Sequence, residues 1–497
     1  MTKVAAAAVD LGSSSGRVVV GTLDDESLSL DEVHRFPHAA HSVNGDLVWD
    51  LSHLEEQIGV GITKALADRE VAVRSVAVDT WGVDYVLLAP GGERYGQGHA
   101  YRDSRTAAVA REFYSRASRE QRWEHTGVQP DDINTGNQMF ADLAADPHMP
   151  EKVERALLLP DYFAYRLSGE MGWGRSISST TGLCETGSRR WSKDLLDLSG
   201  IPREWLGPVQ SDLSARGLLR GGPWDAHSRA DIAVVNAAGH DTACAVHALP
   251  KAGDEAAAFI SSGSWSIVGV ETAAPVLGRE AFDAKLTNEA RADGGNRLIA
   301  NITGLWILQE CQREWAEDGG SGSHGGIEEL LALADLSHSL GIVLDTDDET
   351  FKLPGGMPAR IAQYCLDHYK VVPDSRGQMV RVILESLAVC YAMTLRKIQE
   401  IVDRRWDVVH LVGGGAYNEL LCQMTASATG KAVIAGPAEA SAVGNLLAQF
   451  EVAGVIASDH QRHDIVRTSF SPRTYLPGPQ EPWLAMEGRL PSYSTSH

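Results

Sequence analysis

Short apolar runs joined by small-residue turns organise the first half of the sequence. Val4–Val9 and Val18–Leu23 flank the turn Leu-Gly-Ser-Ser-Ser-Gly-Arg, a pattern that predicts two strands joined as a hairpin. Val71–Val78 alternates apolar and polar positions and predicts a further strand, which ends in Asp-Thr-Trp-Gly-Val-Asp. Apolar residues recur at helical spacing in Leu54–Ala67 and Thr106–Ser118, so we expect helices there.

The pattern restarts near residue 250. Ala256–Val270 again predicts strand, Ser/Gly turn and strand, as Ala5–Gly21 does. Two domains built on one topology would produce this echo, although small-residue hairpins also recur by chance. With Pro250–Asp254 as a hinge, we expect an N-terminal domain over 1–247, a C-terminal domain over 248–480 and a Pro- and Ser-rich loose tail over 481–497. Glu317–Gly326 has the composition of a flexible surface loop.

Bulk properties narrow the class of protein. The 497 residues are too many for one hydrophobic core, so two large domains are expected. The formal net charge of -22 argues against a nucleic acid or an anionic membrane as partner, but it leaves room for a nucleotide site. No apolar run approaches the roughly 20 residues of a membrane span. The six cysteines form no C-x-x-C pair, which favours a cytoplasmic location and gives no thiolate metal site.

The turn between the first two predicted strands is a candidate phosphate site. Glycine and serine in Ser13, Ser14, Ser15 and Gly16 let backbone N–H groups converge on an anion, and Arg17 can add charge. Asp10, at the end of the preceding strand, can hold a hydrated Mg²⁺ beside the phosphates. The turn lacks a P-loop lysine and leads into a strand rather than a helix, which favours the phosphate hairpin of actin-like ATPases. A plain hairpin turn remains the alternative.

Two turns of the second half are candidate nucleotide-binding turns. Ser261–Ser264 offers backbone donors and hydroxyls but no carboxylate, so we expect it only to clasp phosphate. Gly413, Gly414 and Gly415 follow a predicted strand over Val408–Val412 and would let the backbone approach adenosine closely. For both turns, ordinary packing is the alternative.

Asp241 is the candidate catalytic base. It lies where a buried strand over Asp231–Asn236 gives way to a helix over Thr242–His247, and a helix N-terminus favours an ionised carboxylate. Such a carboxylate can accept a hydroxyl proton in phosphoryl transfer, which demands position more than base strength. Alternatively, Asp241 only caps the helix, and His240 beside it is either a core histidine or a ligand of a hydroxyl.

Together these segments resemble the FGGY carbohydrate kinases and, within them, the rhamnulokinase branch. The resemblance covers most of the chain. The segments that carry it are Val9–Arg17, Val43–Gly45 with Trp49 and Asp50, Asp79–Tyr85, Ala100–Thr106, Leu159–Gly169, His240–Thr242, Ser261–Ser266, Asn301–Trp306, Gly413–Gly415 and Gly436–Ser441.

The resemblance implies an α/β, two-domain actin-like ATPase (ribonuclease H-like) fold with ATP and sugar bound in the interdomain cleft. It implies ATP-dependent phosphorylation of L-rhamnulose at the C1 hydroxyl to L-rhamnulose 1-phosphate, with Mg²⁺, in L-rhamnose catabolism. The alternatives are a kinase for another ketose, such as L-fuculose or L-xylulose, and a non-kinase ATPase of the same fold. We expect a monomer or a simple homo-oligomer. Cys365 has no obvious partner, so no disulfide is expected.

The resemblance also implies residue roles. ATP phosphates would contact Ser13 to Arg17 and Ser264, where the family usually has threonine, and Asp10 would lie near Mg²⁺. Gln309 and Gly414 would line the nucleotide site. The sugar would contact Gly82, His240, Asp241, Thr242 and Asn301, with Asp241 as the general base.

Overall fold

The computed structural model describes residues 3–67, 69–220, 222, 231–253, 255–318 and 326–491. Most of the predicted loop over Glu317–Gly326, residues 319–325, lies outside that description. The chain forms two α/β units. The first contains the residues up to Leu249 together with Glu271–Leu298 and Ala440–Ser469. The second contains Pro250–Val270, Ile299–Glu439 and the chain from Phe470 onwards.

The strands of the described residues, in chain order, are β1 (Val4–Leu11), β2 (Ser15–Asp24), β3 (Ser27–Pro37), β4 (His41–Val43), β5 (Asp46–Trp49), β6 (Val73–Thr80), β7 (Tyr85–Leu88), β8 (Arg94–Tyr95), β9 (Gly98–His99), β10 (Arg155–Leu158), β11 (Trp173–Gly174), β12 (Val209–Gln210), β13 (Ser214–Leu218), β14 (Ala233–Asn236), β15 (Ala257–Ser262), β16 (Trp265–Thr272), β17 (Thr287–Ala290), β18 (Asn296–Thr303), β19 (Val408–Val412), β20 (Ala432–Ala435) and β21 (Arg473–Tyr475). The α-helices are α1 (Leu51–Ala65), α2 (Arg105–Arg116), α3 (Arg119–Thr126), α4 (Thr135–Ala145), α5 (Leu159–Ser168), α6 (Arg175–Ser178), α7 (Lys193–Ser199), α8 (Asp241–His247), α9 (Arg279–Asp283), α10 (Trp306–Asp318), α11 (Ile327–Leu336), α12 (Met357–Tyr369), α13 (Arg376–Val402), α14 (Glu419–Thr429), α15 (Ala440–Val452), α16 (Asp459–Phe470) and α17 (Glu481–Glu487).

The main sheet of the first unit has the strand order β13-β14-β6-β1-β2-β3. Its centre is parallel, because β1 pairs in parallel with β6 and β6 with β14, whereas β2 and β3 add as an antiparallel meander. Seven of the eight residues of β1 are buried, as expected for a parallel strand covered on both faces. The predicted hairpin over residues 4–23 is therefore confirmed.

Helices α8 and α15 pack closely on one face of this sheet. A Cβ at Gly444 of α15 would lie 1.8 Å from the carbonyl oxygen of Cys244 in α8, so only glycine permits this approach. Gln449 of α15 donates to the carbonyl oxygen of Ala7 at 2.9 Å and accepts from Ser75 Oγ at 2.7 Å. Residues late in the sequence thus complete the core of the first unit.

In the second unit, β18, β16, β15, β19, β20 and β21 are neighbours in that order. β15 pairs antiparallel with β16 and parallel with β19, and β19 pairs parallel with β20. β21 closes the edge antiparallel to β20, as β13 closes the first sheet antiparallel to β14. The similarity between the segments near residues 5 and 256 is therefore confirmed. Both sheets contain a hairpin whose first strand pairs in parallel with a later strand.

Helix α13 is the longest helix in the described part of the chain. By length and composition it could cross a membrane, but 78% of its most apolar stretch is buried inside the structure, as in the core helix of a globular unit. It packs against α11 and α14 of the same unit.

The segment predicted as a loose tail is partly ordered, so that prediction is wrong for residues up to 491. Helix α17 occupies Glu481–Glu487, with proline in its first turn, and buries Met486 and Glu487. Arg396 Nη2 donates to Glu487 Oε1 at 2.9 Å, which ties α17 to α13. Composition suggested a tail because proline and serine are common there, but the burial of Met486 and the ion pair fix its position. Residues 492–497 lie outside the described residues.

Candidate active site

The parallel strands β1, β6 and β14 end at one edge of the first sheet. An aspartate lies at the end of β1, another at the end of β6, and a third in the chain that follows β14. Asp10 on β1 pairs in register with Asp79 on β6. Thr80 forms a parallel bridge with His240, and Asp241 comes next, at the first position of α8. The carboxyl edge of parallel strands is the usual place for ligand sites in α/β folds. Folding therefore gathers Asp10 and Asp241, which the sequence singled out, and Asp79, which it did not.

The carboxylate of Asp10 is held by two neighbours. Arg17 donates from Nε and Nη2 to Asp10 Oδ2 at 2.9 and 2.6 Å, and Ser441 Oγ donates to the same oxygen at 2.8 Å. Arg17 was predicted to contact phosphate, but here its guanidinium faces Asp10. Ser441, the second residue of α15, was not predicted as a site residue.

Asp79 is fully buried beside Asp10. Its Oδ2 accepts from Asn445 Nδ2 at 2.6 Å, while Oδ1 has no hydrogen-bond partner among the described residues. Burial, followed by the charge of Asp10, raises the pKa of Asp79 well above its usual range. The sequence did carry a signal for Asp79. An aspartate follows the apolar segment Val71–Val78, just as Asp10 follows Val4–Val9.

The two oxygens of Asp241 have different surroundings. Oδ1 accepts from the backbone N–H of Thr242 at 2.5 Å and from Thr242 Oγ1 at 3.1 Å. Among the described residues no hydrogen bond reaches Oδ2, and the side chain is 30% exposed. Burial raises the pKa of Asp241. One oxygen thus contacts the start of α8, as in the capping alternative, while the other is available to a substrate.

His240 contacts a buried ion pair. Its Nδ1 lies 2.7 Å from Arg297 Nη2 and 3.3 Å from Glu289 Oε2, and its Nε2 lies 3.3 Å from Asp241 Oδ1. Burial alone would raise the pKa of Glu289, but the charge of the Arg297 guanidinium outweighs burial and lowers it. Glu289 and Arg297 gave no signal in the sequence, because β17 and β18 lie far from Asp241 along the chain.

Gly82, a predicted sugar contact, lies in a constrained loop after β6. Its neighbour Val83 has φ of +67°, which is unusual for a β-branched residue. Asp84 is buried and accepts from the indole N–H groups of Trp49 and Trp81 at 2.7 and 2.8 Å. Burial raises the pKa of Asp84 to about 6. Such strain typically persists where neighbours hold a functional loop in place.

The predicted phosphate hairpin in the first unit is tightly packed at one position. The N–H of Gly12 donates to Ser15 O at 3.0 Å and closes a turn that contains Ser13 and Ser14. A Cβ at Gly16 would lie 2.3 Å from the ring of Phe36, so packing by itself explains this glycine. The turn leaves Ser14 exposed.

The predicted contacts of the second unit form two small groups. Ser264 Oγ donates to Gln309 Oε1 at 2.8 Å. In the triple-glycine turn, a Cβ would lie 2.9 Å from Ser262 O at Gly413 and 2.2 Å from Ser262 Oγ at Gly415. A Cβ at Gly414 would meet no atom within 4 Å, so only Gly414 is open to a ligand.

Asn301, the remaining predicted sugar contact, is exposed on β18. The structure describes it in the second unit, whereas Gly82, His240, Asp241 and Thr242 belong to the first. The five predicted sugar contacts are therefore divided between the two units.

The residues present fit a magnesium ion that arrives with a nucleotide. Mg²⁺ typically uses one or two carboxylates together with phosphate oxygens and water. Asp10 and Asp79 are adjacent, and the buried Oδ1 of Asp79 lacks a hydrogen-bond partner in the described part of the chain. The same described residues contain no group of three or more ligating side chains, so this is not an all-protein metal cage.

Family models match both halves of the chain. The N-terminal domain of the FGGY family of carbohydrate kinases matches residues 5–247, and the C-terminal domain matches residues 258–452.

Individual proteins are similar over nearly the whole length. A rhamnulokinase of Bacteroides thetaiotaomicron is 35% identical, over 96% of this chain and 97% of its own. A rhamnulokinase of Klebsiella pneumoniae is 36% identical, over 95% of this chain and 94% of its own. The crystal structure of gluconate kinase from Lactobacillus acidophilus superposes with a TM-score of 0.79 at 11% identity, covering 99% of this chain and 97% of that one.

Proposed function

Because the chain belongs to the FGGY family of carbohydrate kinases and is an ATP-dependent sugar kinase, we propose that its acceptor is L-rhamnulose. The γ-phosphate of ATP goes to the C1 hydroxyl and gives L-rhamnulose 1-phosphate and ADP. The observation that carries the choice of sugar is the similarity to two rhamnulokinases at 35% and 36% identity over about 95% of the chain.

Asp241 acts as the general base in this proposal. Its Oδ2 takes the proton of the C1 hydroxyl while the C1 oxygen attacks the γ-phosphorus, and the bond from that phosphorus to ADP breaks. The contact of Thr242 N–H with Oδ1 supports this role, because it orients the carboxylate without occupying the second oxygen. A well-placed weak base suffices, since phosphoryl transfer has a loose transition state.

The other predicted residues bind and orient the substrates. Gly82, His240, Thr242 and Asn301 contact the sugar. Ser13 to Arg17 and Ser264 contact phosphates, and Gln309 and Gly414 contact the nucleoside. Mg²⁺, when bound with ATP, would be held by Asp10 and would neutralise phosphate charge. Arg17 already neutralises Asp10 in this structure, through Nε and Nη2.

A panel of ketoses tests the choice of sugar. With ATP saturating and ADP detected by a coupled assay, kcat/KM should be highest for L-rhamnulose. L-Fuculose, L-xylulose and D-xylulose serve as competitors. A higher kcat/KM for any of these would replace L-rhamnulose as the substrate but leave the kinase assignment intact.

A single substitution tests the base. Asp241→Asn keeps the shape of the side chain and should lower kcat by roughly 10²–10⁴-fold, with ATP binding retained. A wild-type rate with L-rhamnulose would show that another group takes the proton.

We also propose a cytoplasmic location and a monomer or simple homo-oligomer. The six cysteines are free thiols, five of them buried, which is typical of proteins from reducing compartments. Size-exclusion chromatography with light scattering measures the oligomeric state.

A further inference from the structure

Three side chains from separate segments of the first unit meet behind the proposed base. His240 precedes α8, Glu289 lies on β17 and Arg297 lies on β18. Arg297 is 0% exposed and is ion-paired with Glu289. Its Nε and Nη1 have no hydrogen-bond partner among the described residues, so the contacts of Nη2 with Glu289 and His240 hold the guanidinium.

The chemistry of arginine restricts the protonation of His240. A guanidinium has only N–H donors, so Arg297 Nη2 at 2.7 Å requires a lone pair on His240 Nδ1. Neutral imidazole carries one N–H, which must then be on Nε2. The doubly protonated ring has no acceptor, so the same contact also opposes the cation.

The competing arrangement fits the distances less well. A proton on Nδ1 could point at Glu289 Oε2, but that oxygen is 3.3 Å away and already accepts from Arg297. The proton would also face the N–H of Arg297. Glu289 therefore orients Arg297, and Arg297 rather than Glu289 orients the histidine.

We propose that Arg297 is a positioning residue that keeps the proton of His240 on Nε2, and that Glu289 holds Arg297 for this role. His240 Nε2 lies 3.3 Å from Asp241 Oδ1, so the fixed N–H lies beside the proposed base. A neutral histidine at this position adds no full positive charge, which would make Asp241 a weaker base. This inference rests on the proposed role of Asp241.

The tautomer of His240 is directly measurable. In protein labelled with ¹⁵N-histidine, long-range ¹H–¹⁵N correlation spectra distinguish a proton on Nε2 from one on Nδ1, and a His240→Asn sample identifies the signals. We expect the Nε2–H form in the wild-type protein at neutral pH. The Nδ1–H form, or the imidazolium, would overturn the proposal without any variant.

Two variants separate positioning from support of the fold. Arg297→Met removes the N–H donors but leaves Glu289 as an acceptor, so the proton should move to Nδ1 and kcat should fall about 10- to 100-fold. Adding Glu289→Gln removes the anion that draws the proton to Nδ1. The double variant should therefore recover the Nε2–H form and part of kcat. A purely structural role predicts a double variant no better than Arg297→Met, and that result would refute the proposal.

A second buried ion pair in the same unit gives the matched control. Arg216 Nη2 donates to Asp161 Oδ1 at 3.0 Å, and both side chains are nearly inaccessible. Arg216→Met should destabilise the fold but leave the His240 spectrum and the kcat of the folded fraction unchanged. Failure of the base assignment is seen separately, because Asp241→Asn would then keep its activity whatever the state of His240.

Discussion

The two main sheets of this protein share a strand order but differ at the edge where ligands are expected. In the first sheet, Asp10 pairs in register with Asp79. At the matching positions of the second sheet, Ser261 pairs with Val412. One topology thus supports a charged edge in one unit and an uncharged edge in the other. The fold determines where strand ends meet, whereas the residues at those ends determine the chemistry.

The hairpins differ in packing as well as in charge. Gly16 of the first hairpin lies against Phe36 with no room for a Cβ. In the second hairpin, a Cβ at Gly263 would meet only the carbonyl oxygen of Trp265, at 3.5 Å, just as a Cβ at Gly12 of the first hairpin would meet only Ser15 O. The turn glycines therefore have equal room, and the tight packing of the first hairpin lies at Gly16.

The largest expected contrast is catalytic. Asp10→Asn should lower kcat/KM by about 10²–10³-fold, because the proposed metal-side carboxylate is lost. Ser261→Ala at the matching position removes a neutral hydroxyl and should cost about fivefold at most. Steady-state kinetics with ATP and L-rhamnulose give both values. Equal losses of kcat/KM would mean that the two sheet edges contribute equally to catalysis.

The next contrast concerns stability. Gly16→Ala should reduce the free energy of unfolding by about 1–3 kcal/mol, because the methyl group overlaps the Phe36 ring. Gly263→Ala should change it by less than about 0.5 kcal/mol. Urea titration of both variants measures the difference. A stable Gly16→Ala protein would show that β2 and β3 can move apart at no cost.

A smaller effect is expected within the second unit. Gly414→Leu points a side chain into open space and should raise the KM for ATP about tenfold, equivalent to about 1.4 kcal/mol, with unfolding unchanged. Gly413→Ala is the control, because φ of +80° and Ser262 O at 2.9 Å make it destabilising. An unchanged KM for Gly414→Leu would remove that glycine from the nucleotide site.

The smallest effect is a shift in the pH dependence of activity that arises from the burial of Asp241. The base must be ionised to accept a proton, so activity falls as pH drops through the pKa of Asp241. Burial raises that pKa from 3.8, so the acid limb of kcat should lie at higher pH than for an ordinary aspartate. A pH profile, with circular dichroism to verify folding, tests this shift. An acid limb at or below 3.8 would contradict the effect of burial.

The sequence predicted those parts of the site that depend on neighbours along the chain. Both hairpins, the strand before Asp241 and the helix after it follow from local periodicity and turn residues. Glu289, Arg297 and Ser441 could not be found this way, because they belong to segments that join the first unit only through tertiary packing. A single predicted boundary near residue 248 placed all three residues in the second domain. No local sequence pattern indicates that their segments belong to the first unit.

The first unit contains α15, which lies late in the sequence, and this affects how the protein folds during synthesis. Asp79 leaves the ribosome long before Asn445, which donates to it, and Gln449, which ties β1 and β6 together. At roughly 5–20 residues per second, several hundred residues of translation separate them by some tens of seconds. For that interval a buried carboxylate and an apolar sheet face lack their partner helix. The first unit therefore cannot complete its core until α15 emerges.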